Sequence, residues 1–176
     1  MNSADTHGFE TTEQVLESGG FESRQRVLVP EPVVDLSETG ARWLGMTYWQ
    51  AVGGVSRGTV RAAWSDQGGS LRLFGAATLF KFGPAELRYA DDIVSCRYAI
   101  EGGVLALQAG GTVTLAQQTF GLEHELSVAV EGYVPRLAAR AGAPQFTGAL
   151  YARGQRPFHI AVSRRYFELL TRSRAA

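Results

Sequence analysis

Apolar and polar residues alternate along the middle of the chain, between residues 59 and 134, in short runs separated by glycine-containing turns. The segment IVSCRYAI, for example, has Val94, Cys96 and Tyr98 at alternate positions, with Arg97 between the last two. Side chains of a β-strand point to opposite faces in turn, so such runs predict strands with one buried and one wetter face. The short turns indicate antiparallel neighbours, and hence an antiparallel sheet.

The spacing of apolar residues is different before the strands, in the segment DLSETGARWLGMTYWQAVGGV that begins at Asp35. Apolar residues recur there at helical spacing, namely Leu44, Tyr48, Ala51, Val52 and Val55. Trp43 and Trp49 lie around the other side, so we expect this helix to be apolar nearly all round and mostly buried. Asp35 and Glu38 resemble a capping box at its start. The aromatic residues would also suit a strand that ends at the glycine pair, and the spacing leaves both alternatives open.

The C-terminal segment is helical in its spacing as well. An apolar stripe runs along it, formed by Phe158, Val162, Tyr166 and Leu169. His159 lies at the margin of this stripe, and in an unkinked helix Tyr151 and Gln155 would share a face with it. Pro157 either begins the helix, where its missing N–H costs nothing, or kinks a longer helix that starts near Gly148. We expect the longer, bent helix.

The N-terminal residues show neither the alternation of a strand nor the spacing of a helix. Residues 1–25 are polar, contain Ser-Gly-Gly and have only scattered apolar residues, which is typical of a flexible leader. We expect one domain over residues 26–176, because a chain of 176 residues fits a single core. The domain would open with RVLVPEPVV, where Pro30 and Pro32 favour a strand at the edge of the sheet.

The order of these segments resembles the helix-grip superfamily, which includes START-type lipid-transfer domains, polyketide cyclases and aromatases, and plant hormone-binding proteins. The resemblance implies an α+β fold in which a curved antiparallel sheet of about six to seven strands wraps around a long C-terminal helix. It also implies an apolar ligand between sheet and helix, with no metal or organic cofactor. The alternative is a closed lipocalin-like β-barrel with the C-terminal helix packed outside.

Charge and composition narrow the range of partners. Seventeen basic and seventeen acidic side chains give zero formal charge, which disfavours nucleic acid as a partner. The N-terminus lacks a basic start followed by an apolar run, and no stretch approaches the roughly 18 apolar residues of a membrane span. We therefore expect a cytoplasmic protein. The single cysteine, Cys96, agrees with a reducing compartment and is interpreted as a small core residue.

Metal and nucleophile chemistry have little support. His7, His124 and His159 are far apart in the sequence, and no spacing typical of a zinc site is present. We expect no metal and no cofactor. The sequence also lacks a nucleophile elbow, and Ser163 is interpreted as a serine on the helix surface.

Three hypotheses for function remain open at this point. The first is binding of a small or medium apolar ligand between sheet and helix, and the second is a cofactor-free cyclase or isomerase acting on a polyketide-like or terpenoid-like substrate. The third is a non-enzymatic interaction module with a filled core. The sequence also leaves open whether the protein forms a homodimer. His159 and Tyr98 are the candidate acid–base groups. The candidate ligand-binding residues are Trp43, Tyr48, Trp49, Cys96, Tyr151, Gln155 and Tyr166.

Overall fold

The computed structural model describes residues 8–16, 20–106, 109–134 and 156–173. Within these ranges the predicted α+β class is confirmed, with nine strands where about six to seven were expected. The elements in chain order are β1 Glu10–Val15, β2 Phe21–Val29, α1 Glu38–Val55, β3 Val60–Ser65, β4 Gly68–Leu73, β5 Ala77–Phe82, β6 Glu86–Ala90, β7 Ile93–Gly102, β8 Thr112–Phe120, β9 Glu123–Tyr133 and α2 Arg156–Ser173.

The strands form one antiparallel sheet in the order β1-β2-β9-β8-β7-β5-β4-β3. Strand β7 changes partner along its length: Ile93–Arg97 pair with β6, whereas Ile100 and Gly102 pair with β5. Among the described strands β1 and β3 do not pair with each other, so the sheet is open. The closed-barrel alternative is therefore wrong.

The sheet begins earlier in the chain than the sequence predicted. Strand β1 and the first residues of β2 fall within residues 1–25, where a leader was expected. Strand β2 lies between β1 and β9 rather than at an edge, because the strand ends at Val29, before Pro30 can interrupt a hydrogen-bond ladder. Its alternation places Val27 in the core and Arg26 outside.

Helix α1 is the helix predicted before the sheet, and the strand alternative for this segment is wrong. Its N-cap is Ser37 rather than Asp35: the Ser37 Oγ accepts a hydrogen bond of 3.1 Å from the Gly40 amide. A side-chain oxygen at this position satisfies one of the amides that a helix leaves unpaired in its first turn. Leu44 is fully buried and Trp49 is 7% exposed, but Trp43 and Met46 are 40% and 64% exposed, so the helix is not buried nearly all round as expected.

Gln117 of β8 fastens the connection between β2 and α1 to the sheet. Its Oε1 accepts hydrogen bonds from the amides of Val33 and Val34, at 2.7 and 3.0 Å, and its Nε2 donates to the Val34 carbonyl at 2.8 Å. Gln117 and Val34 are buried, so the bonds to Val34 satisfy backbone groups inside the core, while the bond to Val33 is partly buried. The start of α1 is thereby held against the inner face of the sheet.

The outer face of the sheet is less wet than strict alternation predicts. Glu125 of β9 is 5% exposed, although it lies on the face opposite Leu126 and Val128. Its two carboxylate oxygens accept hydrogen bonds from Arg24 at 2.7 Å and from Arg26 at 3.2 Å. The two long arginine side chains of β2 pair with the carboxylate and cover it, which allows a buried charge at this position.

Helix α2 begins at Arg156 in the described part of the chain, with Pro157 in its first turn, where a proline lacks no needed hydrogen bond. The expected extension to Gly148 falls outside the described residues. The helix packs on α1 through Tyr166 and Tyr48, whose ring centroids are 5.6 Å apart.

Two further contacts hold α2. Phe9, just before β1, packs edge-on against Phe167 with ring centroids 6.1 Å apart, and the Arg164 guanidinium lies 5.0 Å from the centre of the Phe9 ring. Ser163 is fully buried, and its Oγ donates to the Gln25 Oε1 at 3.2 Å. The interpretation of Ser163 as a surface serine is therefore wrong, because β2 supplies a polar partner inside the core.

Candidate ligand cavity

An apolar cavity of about 290 Å³ lies between the inner face of the sheet and the two helices. Its volume is near the lower end of the range typical of small-molecule sites, about 300 to 1,000 Å³. Its walls come from most of the described elements, and they consist of Phe21, Tyr48, Trp49, Val52, Val60, Leu71, Leu79, Phe80, Phe82, Ile100, Leu105, Val113, Val130, Tyr133, Phe158, His159 and Val162.

Local periodicity explains most of this lining. Tyr48 and Val52 are four residues apart on α1 and therefore share a face of the helix. Val113 and Val130 are direct neighbours across β8 and β9, and both point to the inner face. The cavity is thus the space between the inner faces of these elements, where their side chains do not meet.

Two β-bulges add side chains that strict alternation would turn outward. In β9, Val130 and Tyr133 pair with Ser23 and Phe21, so that two residues of β9 lie opposite one residue of β2. One of the two is Gly132, with a φ of 65°, a conformation that glycine adopts without strain. The extra residue brings Tyr133 to the same face as Val130. Strict alternation from Val130 would turn Tyr133 to the wetter outer face, but Tyr133 is buried.

The second bulge is in β5. Leu71 and Arg72 of β4 pair with Phe80 and Thr78, which leaves Leu79 without a residue opposite it in β4. Leu79 and Phe80 are neighbours in sequence, yet both line the cavity. A glycine next to an aromatic residue near a strand end was the only sequence signal for the first bulge, and the second had none.

The polar atoms of the lining come from few residues. The Tyr133 hydroxyl donates to the Leu105 carbonyl at 2.7 Å, so its only donor is already used. His159, near the start of α2, is different: its Nε2 is buried and has no hydrogen-bond partner among the described residues. Burial lowers the pKa of His159 from 6.5 to about 4, because the cavity wall disfavours the charged imidazolium. The ring is therefore neutral at physiological pH.

This lowered pKa predicts a pH-dependent loss of stability. The unfolded chain binds a proton at His159 near pH 6.5 and the folded protein only near pH 4, so stability is lost as the pH falls through this window. The loss attributable to His159 should reach about 2 kcal/mol at about pH 5. Urea unfolding of the wild type and of His159→Gln at neutral pH and about pH 5 measures it. An equal fall in both proteins would contradict the prediction.

Tyr98 and Cys96 lie behind the cavity wall rather than in it. Neither belongs to the lining residues, and both are buried on the inner face of β7, under α1. The Tyr98 hydroxyl and the Cys96 thiol meet at Gly45 of α1, and the Tyr98 ring packs on Trp49 with centroids 5.2 Å apart. Burial raises the pKa of both groups, so the thiol and the phenol stay protonated.

The other predicted residues have varied positions. Tyr48 and Trp49 line the cavity, as does His159. Tyr166 is fully buried behind Tyr48, and its hydroxyl has no hydrogen-bond partner in the described part of the chain. Trp43 is 40% exposed and does not line the cavity. Tyr151 and Gln155 lie outside the described residues.

Aromatic residues that the sequence analysis did not single out form much of the wall. Phe82 packs on Trp49 and on Phe80, with centroids 5.1 and 5.9 Å apart, and Phe80 packs on Tyr133 at 5.5 Å. Trp64 extends this cluster away from the cavity by packing on Phe82. Phe80 and Phe82 alternate in the strand segment ATLFKF, and that alternation could have identified them as inward-facing.

The described residues contain no group of three histidine, cysteine, aspartate or glutamate side chains that could hold a metal ion. Within the same ranges, neither helix is long and apolar enough to cross a bilayer.

Comparison of the chain with protein-family models and with curated proteins finds no match. Among solved structures, it is similar to CalU16 from Micromonospora echinospora, with 14% identity, a TM-score of 0.32 and coverage of 90% of this chain and 92% of CalU16. DynU16, a protein of the dynemicin biosynthetic locus, is 17% identical with a TM-score of 0.36, and the match covers 82% of this chain but 46% of DynU16. Protein Ms6760 from Mycobacterium smegmatis is 11% identical with a TM-score of 0.37, covering 93% of this chain and 99% of Ms6760. Similarity at this level carries no argument about function, so the site is interpreted on its own geometry.

Proposed function

We propose that this protein binds a small apolar molecule in the cavity between the sheet, α1 and α2. The observation that carries the proposal is a hollow of about 290 Å³ with an almost wholly apolar lining. Folded cores are normally close-packed, and an apolar hollow of this size, partly open to solvent, leaves unused dispersion contacts and burial that an occupant would gain. An apolar occupant would restore those contacts. The void also argues against the hypothesis of a filled-core interaction module.

Binding is favoured over catalysis by the arrangement of the titratable groups. A cofactor-free cyclase or isomerase needs acid–base or hydrogen-bonding groups beside the substrate. His159 lines the cavity, but Tyr98, the expected second group, is behind the wall formed by Trp49 and is packed against Gly45. Of the predicted pair His159 and Tyr98, a bound ligand would therefore contact only His159. A single such group suits recognition of a ligand better than catalysis by successive proton transfers.

A matched pair of variants on β9 tests the proposal. Val130 is partly buried and lines the cavity, so Val130→Phe should fill part of the hollow. Ala129 is the adjacent residue, is equally only partly buried and lies on the outer face, so Ala129→Phe adds the same ring elsewhere. Native mass spectrometry of protein purified from its own host should show an apolar adduct on the wild type and on Ala129→Phe. We expect at least about a tenfold lower bound fraction on Val130→Phe.

Naphthalene provides a second measurement if the adduct is lost during purification. Titration of the ligand-free protein, followed by amide chemical shifts, should give saturable binding that Val130→Phe weakens and Ala129→Phe does not. Circular dichroism confirms that both variants are folded. The proposal fails if neither a co-purified molecule nor naphthalene binds, or if Val130→Phe binds as the wild type does.

A further inference from the structure

The cavity combines apolar walls with an absence of charge in the described lining. None of its lining residues is a lysine, arginine, aspartate or glutamate. Its polar groups are the Tyr48 and Tyr133 hydroxyls, the Trp49 indole nitrogen and the His159 imidazole. An ionised ligand group would lose its hydration there without gaining a counter-charge, which is among the most costly arrangements in a protein interior.

Two of these polar groups have a buried nitrogen without a hydrogen-bond partner in the described residues, the His159 Nε2 and the Trp49 Nε1. The Tyr133 hydroxyl already donates to the Leu105 carbonyl, and the Trp49 indole can only donate, from a ring that packs on Tyr98 behind the wall. The His159 Nε2 is buried without a partner in the described residues, and a buried polar atom left unpaired costs free energy. A ligand hydroxyl can act as donor or acceptor, so it suits either tautomer of a neutral imidazole.

The opposite wall determines the shape of the apolar part. Trp49 and Phe82 pack with ring centroids 5.1 Å apart, and Phe80 continues this surface to Tyr133. Aromatic rings gain from offset or edge-to-face contacts with other rings in addition to the area that they bury. A ligand with a flat ring system would therefore gain more from this wall than a flexible chain of equal area, which would also lose torsional freedom on binding.

We propose that the ligand is an uncharged aromatic molecule with a single hydroxyl group, whose ring system contacts the Trp49, Phe80 and Phe82 wall and whose hydroxyl pairs with the His159 Nε2. This inference rests on the proposed function and narrows its ligand class. It excludes fatty acids and other carboxylates, as well as protonated amines, because the described lining offers neither a cation nor an anion to pair with them.

Three probes that share one ring system test this ligand class. Naphthalene, 2-naphthol and 2-naphthoate are titrated at neutral pH into the full-length protein, and amide chemical shifts give the dissociation constants. One net hydrogen bond predicts that 2-naphthol binds about fivefold more tightly than naphthalene. The carboxylate, which is unpaired in the cavity, should bind at least about tenfold more weakly than 2-naphthol.

Variants assign the preference to His159. His159→Phe keeps a ring of similar volume, so naphthalene should bind within about threefold of its wild-type constant, while the preference for 2-naphthol should disappear. His159→Gln restores a donor and an acceptor and should recover part of the preference. Tyr48→Phe removes a second hydroxyl of the lining and should leave the preference for 2-naphthol unchanged.

The outcomes separate this inference from the proposed function. If none of the three probes binds, the proposed function fails together with the inference. If naphthalene binds but 2-naphthol has no advantage, or if 2-naphthoate binds best, the cavity is a binding site and the ligand class is wrong. The assignment to His159 is also wrong if Tyr48→Phe, rather than His159→Phe, abolishes the preference.

Discussion

Gly45→Val should lower the free energy of unfolding by about 3 kcal/mol, because α1 approaches the sheet too closely there for a side chain. A Cβ atom at this position would lie 2.9 Å from the Cys96 Sγ and closer still to the Tyr98 hydroxyl oxygen. Tyr98 cannot easily move away, since its ring packs on Trp49 and Trp64 with centroids 5.2 and 4.7 Å away. Chemical denaturation measures the change as a lower urea midpoint with an unchanged slope.

Gly53 in the same helix is the matched control. A Cβ there would have no atom within 4 Å, so Gly53→Val meets open space. Since glycine is a poorer helix former than valine, the control should be neutral or slightly stabilising. Equal destabilisation by the two variants would mean that valine disfavours the helix wherever it is placed. The explanation by close contact of α1 with Cys96 and Tyr98 would then be wrong.

Gln117→Leu should be the second strongly destabilising change, at about 2 to 4 kcal/mol. Leucine is similar in size to glutamine but leaves the Val33 and Val34 amides and the Val34 carbonyl without their side-chain partner. Unpaired backbone groups that are buried, as at Val34, cost the full desolvation of each group. Urea unfolding again measures the effect.

Gln118→Leu provides the comparison for this variant. Gln118 is the next residue of β8, points to the opposite face and is partly exposed. The same substitution there removes no hydrogen bond of the β2–α1 connection, so the change in stability should stay within about 0.5 kcal/mol. If Gln118→Leu were as destabilising as Gln117→Leu, the loss would reflect strand β8 in general and not the anchoring of this connection.

The fixed start of α1 also matters for the proposed cavity. Tyr48 and Trp49 reach the cavity from this helix, and the helix is positioned at one end by the bonds of Gln117 and along its length by the contact at Gly45. Both contacts involve inner-face residues of the sheet. We therefore expect Gln117→Leu to weaken naphthalene binding as well as stability, since wall residues must be held in place to form a binding surface.

The candidate site was predictable from the sequence where one element alone decides the direction of a side chain. Tyr48 and Trp49 lie in a segment for which helical spacing was one of two alternatives, and His159 lies beside the stripe of α2. All three line the cavity. Cys96 and Tyr98 were correctly placed on the inner face of β7, but α1 covers them there, and the sequence of β7 contains no information about which element covers a given position.

The sequence by itself indicated the α+β class, the C-terminal helix and the inner face of most strands, because hydrophobic periodicity is a local property that one element expresses without its neighbours. For α1 it left a helix and a strand open. Only the tertiary structure decided the rest. The bulge at Gly132 turns Tyr133 inward because β2 and β9 pair with unequal numbers of residues. Ser163 is buried because Gln25 of a distant strand offers it a partner. Tyr98 is kept out of the cavity because Gly45 lets α1 lie directly on it. Each of these outcomes depends on contacts between segments far apart in the chain, so a local pattern does not determine them.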